Sequence, residues 1–333
     1  MSDSTDQLVL NQRRNLPLRA TPATCAGKTY IVTGANVGLG FEAAKHLVAL
    51  GAGRVILAVR NLAAGEAAKK MIEQATGGTG VVEVWHLDLS RFDSVKAFAG
   101  RAVAELARID AIVENAAVAR TDSVRAEGRL QGMTVNVVST FLLAVLLGEK
   151  MRESAKKVGA MVRVVIVTSR LGFTMKEEWT EIWEQPLVGI EEDERLYAQC
   201  YALSKLMEIF AVKHLATLLP VERTGVVFNL VCPGLCKTEL IRNTSPDRRA
   251  EITKLYERAG RTAEDGSRTL LHGAVAGKES HGCLLHSCEL DESDVPSWVT
   301  DEAGKTMQQR MWEAIAKELE LIQPGCVEEM LAL

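Results

Sequence analysis

Thr33-Gly34-Ala35-Asn36-Val37-Gly38-Leu39-Gly40 decides the reading of this chain. It follows the apolar run Tyr30-Ile31-Val32 directly and opens residues 38–52, where Ala44, Leu47 and Val48 share one helical face. An ordinary strand-to-helix turn does not need three glycines in seven residues. Glycine permits a tight turn and close backbone approach to a pyrophosphate, whose charge a helix N-terminus favours. The spacing is G-x-x-x-G-x-G, distinct from the G-x-G-x-x-G dinucleotide fingerprint. The turn alone is a weak signal; its place between a first strand and a first helix strengthens it.

Outward from this turn, apolar runs alternate with helical patterns. Residues 54–59 read as a second strand and 63–75 as a second helix. Further β-branched runs follow at 81–87, 109–113, 162–167 and 225–231, and 283–288 closes the series. The β-α-β-α order predicts an α/β fold, a Rossmann-type doubly wound parallel sheet with helices on both faces, in a single domain. Strands this uniformly apolar suit burial on both sides. Residues 1–26 lack apolar periodicity and read as a flexible N-terminal tail, with the domain spanning 27–333. The polar stretch 242–268 reads as a solvent-facing helical excursion, and 302–321 as a terminal helix covering the sheet edge.

Composition narrows the function by exclusion. Thirty-nine Lys+Arg against 43 Asp+Glu leave a net charge of −4 over 333 residues, which gives no broad field for nucleic acid or an anionic membrane. The longest apolar run, residues 141–147, falls far short of the roughly 20 residues that span a bilayer. Seven cysteines without a C-x-x-C pair suit reduced thiols and a cytoplasmic location.

Cofactor choice is written at the end of the second strand, where an acidic residue accepts from the 2′-hydroxyl of NAD and Arg accommodates a 2′-phosphate. Between Arg54 and Gly65 there is no acidic residue, and Arg60 stands at the strand end. NADP(H) is therefore the expected cofactor. Of four tyrosines only Tyr201 has a lysine four residues later, Lys205, on the same helical face. A nearby ammonium favours phenolate and brings a tyrosine toward the working range of an acid/base.

Together these features resemble the short-chain dehydrogenase/reductase family, in the branch with T-G-x-x-x-G-x-G and Y-x-x-x-K. Thr33 to Gly40, Asp88-Leu89, Asn115-Ala116-Ala117, Ser169 and Tyr201/Lys205 fall in the family's order, joined by Asn136 and by Pro233-Gly234 with Thr238. The resemblance covers roughly residues 27–288. It implies that Thr33, Gly34, Asn36, Gly38, Leu39 and Gly40 cradle the cofactor, that Asp88 and Leu89 sit by the adenine, and that Asn115 and Ala116 lie beside it. Pro233, Gly234 and Thr238 would enclose the nicotinamide. Ser169 would hydrogen-bond the substrate oxygen, Tyr201 would carry the proton and Lys205 would hold the ribose. Asn136 would anchor a water that relays protons toward Lys205.

Two departures stand out. The family's usual Asn-Asn-Ala-Gly is Glu114-Asn115-Ala116-Ala117 here, an unexpected charge at a strand end. Ser169 and Tyr201 are also 32 residues apart, whereas about a dozen residues is more usual. The insertion, about 170–196, reads either as a lid over substrate or as a surface elaboration that packs its own tryptophans. Residues 238–333 would supply substrate-covering helices.

Residues 56–61 and 261–274 are similar to the retinol-dehydrogenase-like group, and residues 33–40 to fungal reductases of secondary metabolism. This implies a ketone or secondary alcohol on a bulky apolar small molecule. A cofactor-retaining epimerase and a non-catalytic NADP-binding sensor or scaffold are the alternatives. His281-x-Cys283-x-x-His286-x-Cys288 offers zinc-ligand types, but strand alternation would scatter them, so no metal is expected. Arg13-Arg14 reads as solubilising. Residues 133–147 suit a homo-oligomer face and packing on the sheet equally.

Overall fold

The β-branched runs form strands that differ from the expected bounds by a residue or two. The computed structural model describes residues 12, 15–290 and 292–332. The strands are β1 (Thr29–Thr33), β2 (Arg54–Val59), β3 (Val82–His86), β4 (Ala111–Glu114), the small hairpin pair β5 (Arg125–Ala126) and β6 (Arg129–Leu130), β7 (Val162–Val167), β8 (Val226–Cys232), β9 (Leu284–His286) and β10 (Glu289–Leu290). The main sheet runs β3-β2-β1-β4-β7-β8-β9-β10. All its pairings are parallel except β9 with β10, so the 283–288 run supplies β9 and a further strand, β10, closes the sheet beyond it as an antiparallel edge. Every residue of β1 and β8 is buried, as continuous apolar strands require.

The longest helices are α1 (Gly38–Ala49), α2 (Leu62–Thr76), α3 (Phe92–Glu105), α4 (Gly148–Val158), α5 (Cys200–Leu218), α6 (Pro246–Ala259), α7 (Ala263–Val275) and α8 (Glu302–Ile322). On one sheet face, Leu47 of α1, Ile72 of α2 and Leu270 of α7 join a core with Val32, Leu57 and Val113. On the other, Phe98 of α3, Met151 of α4 and Leu206 of α5 join one with Ile31, Ile112 and Ile166. Val32 lies opposite Leu57 on one side and Val113 on the other, so the strand order reverses at β1 and β4. Connections leave in opposite directions there, and the crevice beyond the strand ends stays open for a ligand.

Three sequence expectations change. Residues 15–26 are docked rather than free. Asp265 accepts from Leu16 N at 2.6 Å and Asn15 N at 3.1 Å, and Thr21 caps a short helix, Pro22–Cys25. Residues 1–11, 13 and 14, with Arg13-Arg14 among them, lie outside the described residues. The solvent-facing excursion ends at Gly260: α6 buries only Ala259, whereas α7 carries Leu270 and Leu271 into the core. Finally, α8 covers α5 rather than a sheet edge. Helix α5 is buried on nearly every side from Ala202 to Val212, so it needs a second apolar layer, which Met311, Trp312, Ile315 and Leu319 provide.

Among the described residues no single helix is long and apolar enough to cross a membrane. One pair, Gln131–Leu146 with Gly148–Val158, has the composition but bends by 47°, and its apolar side chains belong to the core.

Candidate active site

The end of β1 supplies the first wall. Gly34 and Gly38 adopt φ of +65° and +62°, in the left-handed region that favours glycine. A Cβ on Gly40 would stand 2.6 Å from Asn115 Nδ2 and 2.8 Å from Gly34 O, so α1 approaches the strand ends only because that Cβ is missing. Helix α1 starts at Val37 without a side-chain cap, leaving its first amides directed at the crevice. Thr33 and Asn115 brace this turn from behind. Thr33 Oγ1 accepts from Asn115 N and Ala116 N, both at 2.9 Å, and Asn115 Nδ2 donates to Thr33 O at 2.9 Å.

One cavity of about 1310 Å³ runs along these elements. Typical small-ligand sites occupy roughly 300–1,000 Å³, so there is room for a dinucleotide and a second molecule. Its walls carry Gly34, Asn36, Gly38, Leu39, Arg60, Asp88, Leu89, Asn115, Ala116, Pro233, Gly234 and Thr238 at one end, and Ser169, Tyr201 and Lys205 beside them. Arg60 is exposed at the end of β2. Asp88 Oδ1 accepts from Ser90 N at 2.9 Å and Ser90 Oγ at 2.6 Å, which fixes the turn after β3. The glycine cradle, the uncapped helix and the cavity fit a nicotinamide dinucleotide. Thr33, Gly40 and Asn136 stand behind the wall rather than in it.

Asn136 lies in a π-helical turn, Thr134–Ser139, and is fully buried. Its Oδ1 accepts from Val118 N at 2.9 Å, and its Nδ2 donates to Val118 O at 3.0 Å and Ser204 Oγ at 2.9 Å. The side chain therefore clamps the loop after β4 to the first turns of α5. Ser169 ends β7's extension and accepts from Leu171 N at 3.2 Å, the cap of a short 3-10 turn. Tyr201 and Lys205 lie one turn apart on α5, with Nζ 5.7 Å from the phenol ring centroid. That ammonium is engaged elsewhere: it donates to Val167 O at 2.9 Å and Glu208 Oε1 at 2.7 Å. Accordingly the Tyr201 phenol is not lowered as the Y-x-x-x-K spacing predicts. Burial first, and then the Glu208 carboxylate, push it upward.

Three side chains that matter here escaped the sequence reading. Glu208 stands three residues after Lys205 within an apolar helix, a signal that was available. Tyr256 of α6 lines the cavity, and nothing in its local sequence marks it. Arg261, almost fully buried, donates through one guanidinium nitrogen to Pro233 O and through the other to Ser287 Oγ at 2.7 Å, securing the Pro233-Gly234 loop. The inserted segment divides its roles: Trp179 is buried against Phe210 of α5, with ring centroids 4.9 Å apart, while Leu171, Thr174, Met175 and Glu178 face the cavity. His281 hydrogen-bonds through both ring nitrogens to backbone, at Phe228 N and Ala216 O. No group of three or more metal-ligating side chains converges among the described residues.

A doubly wound sheet with a glycine cradle at its switch point and a Ser-Tyr-Lys set beside it defines a nicotinamide-dependent oxidoreductase. The chain belongs to the short-chain dehydrogenase/reductase family. The family model for short chain dehydrogenases matches residues 28–180. A short chain dehydrogenase/reductase of Cryptosporiopsis sp., dmxR8, is 40% identical over 305 residues, covering 90% of this chain and 93% of that protein. The short-chain dehydrogenase anuD of Penicillium roqueforti is 35% identical, covering 90% and 79%. Among solved structures, a short-chain type dehydrogenase/reductase from Mycobacterium marinum superposes with a TM-score of 0.61 at 22% identity, over 81% of this chain and 96% of that one. The fold and the likeness to fungal reductases thus agree with the sequence reading.

Proposed function

We propose that this protein is an NADPH-dependent reductase of a ketone, or dehydrogenase of a secondary alcohol, on a bulky apolar small molecule. The observation that carries this reading is the placement of Ser169, Tyr201 and Lys205 on the wall of the cavity that also holds the glycine cradle. A bound nicotinamide would supply or accept hydride. Ser169 would donate a hydrogen bond to the substrate oxygen, and Tyr201 would give its phenolic proton to that oxygen as charge develops. Lys205 would hold the cofactor ribose.

The choice of NADPH rests on Arg60, which makes no ion pair among the described residues, and on the lack of an acidic residue between Arg54 and Gly65. The apolar substrate class rests on Leu171, Met175, Leu240, Ile241, Ile252 and Leu255 among the cavity's lining residues. In this reading 170–196 contributes a substrate-facing wall as well as a packed outer layer. A cytoplasmic location accords with seven free cysteines, and the likeness to fungal short-chain dehydrogenases/reductases accords with secondary metabolism.

The test is turnover of NADPH against a panel of bulky ketones. Tyr201→Phe is expected to reduce kcat by at least about a thousandfold while NADPH still quenches protein fluorescence on binding. Retained turnover in that variant overturns the mechanism, and a clear preference for NADH overturns the role of Arg60.

A further inference from the structure

Behind the cavity wall lie two carboxyl groups that the reaction above does not use. Glu208 and Lys205 form an ion pair whose side chains are 2% and 4% exposed. Glu114, at the end of β4, is almost as deeply buried, and among the described residues neither of its carboxyl oxygens has a hydrogen-bond partner; nor does Glu208 Oε2. Strand alternation places Glu114 on the same sheet face as Ile112, and β4 pairs with β7 so that Glu114 lies opposite Ile166. Ile112 and Ile166 belong to the core under α5, so Glu114 faces the helix that carries Lys205 and Glu208. The next residue of β7, Val167, gives its carbonyl to Lys205 Nζ.

We propose that Glu114 and Glu208 act as one unit behind Lys205, a carboxyl pair that shares a single proton and so fixes the position of the catalytic ammonium. The inference rests on the reductase reading for its consequence, not for its existence. The argument is charge balance. One ammonium and two carboxylates would leave an uncompensated negative charge among side chains that are almost wholly buried, where two like charges strongly oppose each other's ionisation. Retaining one proton makes the trio neutral. Among the described residues the other titratable group toward the pair is Tyr201 on α5; β7 and β1 add the neutral Thr168 and Thr33. Burial and mutual repulsion raise Glu114 well above the usual carboxyl range, and burial raises Glu208 to about 7 against the lowering pull of Lys205. Glu208 is thus a positioning residue that acts through Lys205, and Glu114 acts through Glu208.

Infrared difference spectra of the full-length protein without cofactor test the pair directly. At about pH 8, where ordinary carboxyls are ionised, the wild type is expected to show the C=O band of a protonated carboxylic acid. Glu114→Gln should lose that band, since glutamine keeps the neutral shape but carries no carboxylic acid. Glu208→Gln should lower kcat at least about tenfold above pH 8, with the basic limb of the pH profile moved to lower pH, because the Tyr201 phenol loses the carboxylate that helps push it upward. Glu208→Asp should restore the limb; a role in packing alone would not move it. If Glu208→Gln fails to fold, Glu208→Asp and the infrared comparison decide. Absence of the band in the wild type, its persistence in Glu114→Gln, or an unmoved limb in Glu208→Gln overturns the proposal. A band lost in Glu114→Gln from a wild type that turns over no ketone supports the pair and rejects the reductase reading.

Discussion

At the residue scale, the pair leaves a mark on stability as well as on chemistry. Glu114 titrates in the folded state well above its unfolded value, because burial disfavours its charge. Between those two values the folded protein holds a proton that the unfolded chain releases, so this group makes stability fall as pH rises. Glu114→Gln removes the titration. Its stability relative to the wild type should therefore improve with pH by up to about 1.4 kcal/mol per unit, starting near the unfolded value of about 4.3. Urea unfolding at about pH 5, 6.5 and 8 checks this; a pH-independent difference rules it out. The sequence displayed Glu114 as an odd residue beside Asn115, and displayed Tyr201 and Lys205 through their spacing. It displayed Glu208 three residues after Lys205, but not that Glu208 faces Glu114, because that relation depends on which sheet face β4 turns toward α5. Tertiary burial also reversed the expected effect on the Tyr201 phenol: Lys205 faces a carboxylate and a carbonyl instead.

At the element scale, the inserted segment after Ser169 shows how a surface elaboration becomes part of the core. Trp179 from the short helix Lys176–Ile182 packs against Phe210 of α5, and Trp298 meets the same ring edge-to-face with centroids 6.0 Å apart. Trp179→Ala should cost about 3–5 kcal/mol, since the bulk of a fully buried indole is lost and its place cannot collapse. Thermal unfolding measures the loss, and a cost below about 1 kcal/mol would mean that the insertion is only loosely attached. The tryptophans of this segment were visible in the sequence as a surplus, with a lid and an outer packing layer as competing readings. The mix of cavity-facing and inward residues in this one segment is a property of its short helices, and helices this short carry little periodicity to read.

At the scale of the whole molecule, the order of strands was legible from alternating apolar runs, because a parallel sheet needs helical crossovers and these leave long, distinct patterns. The ends of the chain were less legible. Residues 15–26 have no apolar period, yet Leu16 is buried and two successive amides converge on Asp265 of α7. Asp265→Ala should release this segment, leaving a buried amide without its acceptor at a cost of about 1–3 kcal/mol. Limited proteolysis is expected to cut near residues 15–20 in that variant much faster than in the wild type, and equal rates would show that other contacts hold the segment.

The switch point between β1 and β4 has a consequence for how such a protein diversifies. Most of the residues proposed to cradle the dinucleotide come from the turn at residues 33–40 and the ends of β2, β3 and β4, all before residue 120. What faces the far end of the cavity comes mainly from after β7 and from α6. The two halves of the ligand-binding text are therefore separable inheritances. Loops in the second half can be rewritten for a new carbon skeleton while the first half, braced by Thr33 and Asn115, keeps delivering the same reagent to the same place.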